Sequence, residues 1–298
     1  MPFLGEIMSL LCAIVWAIAI ILFRVAGQKV PALELNAFKN IVAALLLTFT
    51  WLALFFSDPP THGDSFTTKE IVILIVSGLV GISLADTLLL KSLALIGAGR
   101  NAIISCLFSP FVISFSFLFL GERIALLQLL GFSLVIVSTF IVTSQKAGMN
   151  TSRKNLIKGS IYGVLDVLFI AIGMIMSKSI IEGHSPFAFA AIRTGAGFFG
   201  IVLWIVLIGR TKESVKIFKG NLPWVSMFSS AIMGSYLALI LWTVGFKYTN
   251  ASTASVLNQT SVLFTLIFAA IFLKEKLSLH KLIGALLGFA GVTFLFLF

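Results

Sequence analysis

The chain has 298 residues, of which 59% are hydrophobic and 11% charged, with a net charge of +10, a pI near 9.8 and a mean hydropathy of +1.11. Soluble domains carry about 25% charged residues. So few charges cannot cover a water-facing shell around so much apolar side chain, which excludes a soluble globular protein, and the same composition excludes disorder.

In chain order the apolar runs predict ten membrane helices, since each run reaches the roughly 20 residues a bilayer requires. They are Leu4–Val25, Glu34–Phe56, Lys69–Leu93, Gly99–Phe119, Arg123–Ser144, Leu156–Ile180, Pro186–Ile208, Leu222–Lys247, Ala251–Phe272 and Ser278–Phe298. The fold class is therefore an all-α polytopic membrane protein. Met1–Phe23 lacks a basic start and a clear small-residue cleavage site, so it reads as a first span and not as a removed signal peptide. Turn chemistry separates the runs: Gly27–Pro31, Ser57–Pro60, Gly97–Gly99, Gly121–Glu122, Gly148–Asn150, Gly183–Pro186, Gly220–Pro223 and Thr249–Asn250. Cys12 and Cys106 lie inside apolar runs and read as small core residues. Pro110 alone among the prolines sits mid-span, where it removes a donor and frees the Cys106 carbonyl. That break serves either a packed kink or a gate lining a cavity.

Basic residues are unevenly shared between the two faces. The odd-numbered loops hold fifteen Lys and Arg and the even-numbered loops four, while Lys39 and Arg193 lie inside spans. The bias places the odd loops in the cytoplasm and both termini outside. The chain also repeats itself. Arg24 and Lys178, and Lys39 and Arg193, are related by an offset of 154; Trp51 and Trp204, Glu122 and Glu275, and Gly131 and Gly284 by 153. Five spans per half is an odd number, so residues 148–298 enter the membrane upside down relative to residues 1–147. The charge bias inverts between the halves accordingly.

Two five-span halves ending in Leu120-Gly121-Glu122-Arg123-Ile124 and Leu273-Lys274-Glu275-Lys276-Leu277 resemble the EamA branch of the drug/metabolite transporter superfamily. So do the basic residue closing the first span of each half (Arg24, Lys178), the one inside the next span (Lys39, Arg193), and Pro110 twelve residues before Glu122. The resemblance covers essentially the whole chain. It implies ten helices around a central cavity, walled mainly by helices 1, 3, 4, 6, 8 and 9. It also implies export or exchange of small metabolites such as amino acids, nucleotide sugars or drugs, often coupled to protons or to antiport. The second half departs from the pattern: Leu263 stands where the repeat would put a proline, and Lys274 replaces a glycine.

Among the eleven acidic residues, Asp86 and Asp166 lie well inside spans. A mid-bilayer charge costs roughly 2.5–3.5 kcal/mol on insertion scales, so such groups face a bundle interior or water. Asp166 is a candidate for binding the coupling proton or a substrate cation, with Tyr162 one turn earlier to hydrogen-bond it; the alternative is a structural pair with Lys39, Lys91 or Arg193. Lys39 and Arg193 either snorkel near an interface or recognise a carboxylate or phosphate. Asn101, Ser105, Ser109 and Ser116 form one polar stripe and Ser252, Ser255, Asn258 and Gln259 another. These stripes either bind helices together or line a substrate pocket, to which Trp16, Tyr236 and Trp242 add stacking walls. His62, His184 and His280 fall in loops or at a span start, so the sequence offers no intramembrane metal cluster, and no cofactor motif or nucleic-acid fold is present.

The expectation is a secondary transporter of small solutes in the cell membrane, a monomer or weak dimer, working by alternating access with proton coupling. An uncoupled facilitator or a multidrug or cation exporter is the rival within transport. A lipid-modifying membrane enzyme is the rival from another class, and the wide separation of the intramembrane acids and the absence of histidine from the spans speak against it.

Overall fold

The computed structural model describes residues 3–57, 65–120, 128–144, 152–249 and 251–297. The expected turns at Asp58–Pro60, Gly121–Glu122, Gly148–Asn150 and Asn250, the start of the fifth span at Arg123, and the boundary between residues 147 and 148 lie outside them. Among the described residues all regular structure is helical.

Eight helices among the described residues are long and apolar enough to cross a membrane: α1 (Leu4–Ala26), α2 (Ala32–Ser57), α3 (Thr68–Ile96), α4 (Ala98–Phe119), α6 (Arg153–Gly183), α7 (Pro186–Leu207), α9 (Trp224–Tyr248) and α10 (Thr253–Phe272). Two more, α5 (Gln128–Ser144) and α11 (Leu279–Leu297), carry shorter apolar stretches, Leu130–Ile141 and Leu279–Phe294. One helix was not anticipated. The eight-residue α8 (Thr211–Phe218) lies between α7 and α9. Its Ser214 donates to Glu34 Oε1 at 2.8 Å, and its Phe218 ring packs on Phe38.

Local chemistry sets the helix ends. Thr67 and Glu70 form a reciprocal capping box at the start of α3. Ser152 caps α6 by accepting from the Asn155 N–H, and Pro186 opens α7 with its fixed φ. Between α3 and α4 the chain turns at Gly97, whose φ of +83° suits glycine.

Four helices are interrupted, and the interruptions come in pairs at the repeat offset. A π-helical segment occupies Leu79–Leu84 in α3 and Ala231–Ala238 in α9. α4 tightens into a 3-10 turn at Ser105–Leu107, and the equivalent helix of the second half breaks at Thr260, between Ala251–Gln259 and Ser261–Phe272. Pro110 explains the first break and no proline explains the second. There the Thr260 hydroxyl donates to the Leu257 carbonyl at 2.7 Å, a local bond that competes with the helix ladder.

Packing repeats the same pairing. α1 lies against α9 and α10, while α6 lies against α3 and α4; α2 packs on α7 and α5 on α11. Between apolar helices in lipid, close backbone approach takes the place of a hydrophobic drive. A Cβ on Gly5 would come within 2.8 Å of Thr249, and one on Gly159 within 2.9 Å of Leu95. Arg24 donates to the Leu93 and Ala94 carbonyls at the end of α3, and Lys178 donates to the Phe246 carbonyl near the end of α9, at 2.5, 2.8 and 2.7 Å. Leu93 and Phe246 are themselves 153 residues apart.

Candidate functional site

A cavity of about 190 Å³ opens between these interrupted helices. α1, α2, α3 and α4 line it from one half of the chain, and α6, α7, α9 and α10 from the other. The π turns in α3 and α9 put Gly81, Ile82 and Asp86 on one side and Gly234, Ser235 and Trp242 on the other. π turns of this kind recur at functional sites, because the extra residue per turn re-aims the side chains that follow.

Two acids and two bases meet there. Lys39 of α2 is bonded to Asp86 of α3 at 2.5 Å and to the Asn40 amide oxygen at 3.3 Å. Lys39 and Arg193 are each 4% exposed, so neither reaches an interface as the snorkelling alternative requires. Arg193 of α7 stacks over the Phe189 ring at 5.2 Å and turns into the cavity past Gly81, where a Cβ would lie 3.2 Å from its Nη2. Asp166 of α6 is 3% exposed and lies within electrostatic reach of Asp86 and Lys39.

Several polar atoms in this wall have no partner. Asp166 Oδ1, Arg193 Nε, Thr194 Oγ1 and both amide atoms of Asn258 are buried and unbonded. An orphaned buried polar atom costs roughly 1–3 kcal/mol, more when charged. Five of the eleven such atoms among the described residues belong to this wall, and the other six, on Ser9, Glu34, Arg100, Ser109, Ser116 and Ser160, lie outside it. Other wall groups are already satisfied: Asn101 donates to Ser92 Oγ at 2.9 Å, Ser105 Oγ to the Ala102 carbonyl at 2.6 Å, and Gln259 to the Ser105 carbonyl at 2.9 Å. That last bond ties the breaks in α4 and α10 together.

Of the residues singled out from the sequence, Asp86, Asp166, Lys39, Arg193, Asn101, Ser105, Asn258, Gln259, Trp16 and Trp242 line the cavity. Tyr162 does not. Its ring is held between Lys91 and Lys158, each 5.7 Å from its centroid, so Lys158 one turn earlier takes the ring and no bond joins it to Asp166. Tyr236 does not either. It sits within the π segment of α9, which turns its hydroxyl to Thr50 at 2.8 Å. Ser109, Ser116 and Ser255 are buried outside the wall, as is Pro110. Lys91 lies over the Tyr162 and Trp204 rings and not on an acid.

The sequence reading missed Asn40, Thr194, Cys12 and Ser235. Asn40 and Thr194 adjoin Lys39 and Arg193 and are related by the same offset of 154, so the repeat itself carried a signal for both. Cys12 is the repeat mate of Asp166; it reaches the wall while donating to the Ala238 carbonyl at 3.3 Å. Among the described residues no group of three metal-ligating side chains occurs.

Outside the cavity, Glu275 ties the second half to the start of α4. Its carboxylate accepts from the Ala98 and Gly99 N–H groups at 2.9 and 3.2 Å and from Lys281 Nζ at 3.1 Å. Lys274, at φ +53°, turns the chain that delivers it.

The comparisons agree with this architecture. The EamA-like transporter family model matches the chain twice, at residues 3–144 and 157–297. A protein of Archaeoglobus fulgidus named an uncharacterized transporter is 23% identical over 93% of this chain and 92% of its own. One of Methanothermobacter thermautotrophicus, named likewise, is 21% identical over 98% and 86%. A solved crystal structure superposes with a TM-score of 0.66 over 98% of this chain and 96% of its own at 13% identity, a likeness of fold. With eight membrane-length apolar helices among the described residues and two family matches that together span nearly the whole chain, the chain is a multi-pass membrane protein and belongs to the EamA-like transporter family.

Proposed function

We propose that the protein is a secondary transporter of small metabolites such as amino acids, an exporter or exchanger that works by alternating access and is coupled to protons through Asp166. The observation that carries this reading is the cavity between the two halves, where an unpaired acid, an unpaired guanidinium and further orphaned polar atoms are buried together. Transporters of this kind build their sites at the interface of two repeats, on helices whose ladders are interrupted. The interruptions in α3, α4, α9 and α10 all border this cavity.

The reading takes α5 and α11 as spans, giving ten in two five-helix halves, residues 1–147 and 148–298, of opposite orientation. Contacts support the inversion. Arg24, near the end of α1, bonds the end of α3, and Gly159, near the start of α6, packs on that same end of α3. The end of α1 thus shares a level with the start of α6, which is what antiparallel first helices require. That level holds most of the basic residues, so it faces the cytoplasm of a cell membrane and the termini face out.

Two bases, Lys39 and Arg193, and two acids, Asp86 and Asp166, line the cavity, so it offers partners to both ends of a zwitterionic solute, which sets metabolite exchange ahead of cation export. Counterflow in proteoliposomes tests transport: labelled amino acid enters vesicles preloaded with unlabelled solute. An imposed pH gradient should drive uptake in the wild type and not in Asp166→Asn. Gradient-driven uptake unchanged in that variant removes Asp166 from the coupling.

A further inference from the structure

The two halves are not equivalent where they meet the cavity. At the repeat offsets, Asp166 corresponds to Cys12 and Asp86 to Leu239; in the other direction, Trp16 corresponds to Ile170 and Trp242 to Leu89. All eight side chains line the cavity. The acids therefore come from α3 and α6, which pack on one another, and the tryptophans from α1 and α9, which pack on one another. A pseudo-twofold between the halves exchanges these two helix pairs. The acids and the indoles then stand on opposite sides of the axis, and the symmetry of the scaffold is broken in its lining. Lys39 neutralises Asp86, which leaves Asp166 and Arg193 as the charged groups with unpartnered atoms.

We propose, resting on the transport and inverted-repeat reading above, that this asymmetry selects a zwitterion with a flat apolar body and holds it in one orientation. The ammonium lies against Asp166, the acid group meets Arg193, and the flat group stacks on Trp16 and Trp242. An indole face accepts a flat ring by offset or edge contact and excludes water from it. A guanidinium pairs a carboxylate with directional bonds, which an ammonium on a flexible stem does not. A solute lacking the ring leaves the indole side wet, and one lacking either charge leaves a buried ion unpaired.

The test is a binding series on the wild-type protein in lipid nanodiscs, using L-phenylalanine, phenethylamine, phenylacetate and L-alanine. L-Phenylalanine should bind at least tenfold more tightly than each of the other three. Trp16→Ile with Trp242→Leu, which installs the residues at the repeat-equivalent positions, should collapse the phenylalanine-to-alanine ratio at least tenfold. Equal binding of phenethylamine or phenylacetate overturns the zwitterion, and a retained ratio in the double variant overturns the stacking role. If the double variant does not fold, the wild-type series still decides. The same four compounds, labelled, are then used in counterflow. Exchange of L-alanine as fast as L-phenylalanine overturns this selectivity and leaves transport standing, whereas no exchange of any solute removes the transport reading beneath it.

Discussion

Lys39 and Asp86 show how much one buried contact carries. Both are shielded from solvent, and their bond joins α2 to α3 at the cavity wall. Removing one partner of a buried ion pair leaves an uncompensated charge and costs about 3–5 kcal/mol, whereas removing both is far milder. Lys39→Met should therefore lower the detergent melting temperature sharply, and adding Asp86→Asn should restore most of the loss; a double variant no more stable than Lys39→Met would show that the pair is not what holds α2 and α3. Lys274 makes the opposite case. A non-glycine residue in the left-handed region costs roughly 1–2 kcal/mol. Lys274→Gly, which copies the residue at the repeat-equivalent position 121, should stabilise the protein by about 1 kcal/mol in denaturant titration if the contact made by Glu275 is kept.

At the scale of the element, the decisive feature is how closely helices from different halves approach. A Cβ on Gly159 would meet Ile96 Cγ2 at 2.5 Å, so Gly159→Leu cannot fit without moving α6 off α3. Overpacking of this kind typically costs 1–3 kcal/mol. Expression and melting temperature should both fall, while the same change at Gly195, which faces open space, should be tolerated. The breaks in α4 and α10 teach the complementary lesson. Pro110 announces the first from the sequence alone, because it deletes a donor. The second gives no such warning: Thr260 makes it with a side-chain bond to the Leu257 carbonyl, available to many threonines that sit quietly in helices. α8 escaped notice for a related reason. It is two turns long, and it is held by the docking of Ser214 on Glu34 and Phe218 on Phe38, contacts remote in the chain.

At the scale of the whole molecule, the pairing of contacts predicts a topology that crosslinking can read. Cysteine pairs at Gly5 with Thr249 and at Gly159 with Ile96 bring Cβ atoms near disulfide range. In a background lacking Cys12 and Cys106, both pairs should oxidise readily. If the halves are inverted, then with the pairs reduced a membrane-impermeant thiol reagent should reach one pair from outside the cell and the other only after the membrane is opened. Labelling of both from the same face would refute the inversion.

Composition and patterning were enough to establish an all-helical membrane protein, to locate the helices that are long and apolar enough to span, and to point to the family. Each of these depends on local quantities: run length, turn residues, and spacing along one chain. The acids and bases inside spans were legible for the same reason, since a charge in lipid stands out against its neighbours. Which of them pair, and which remain unbonded, was decided by the tertiary structure. Tyr162 and Asp166 are one turn apart, yet the ring goes to two lysines; Lys39 and Asp86 are 47 residues apart and bonded. Spacing along a helix fixes only what a side chain can reach on its own helix. Partners on other helices, such as Thr50 for the Tyr236 hydroxyl, come from packing, where distant stretches of chain compete for the same few ångströms.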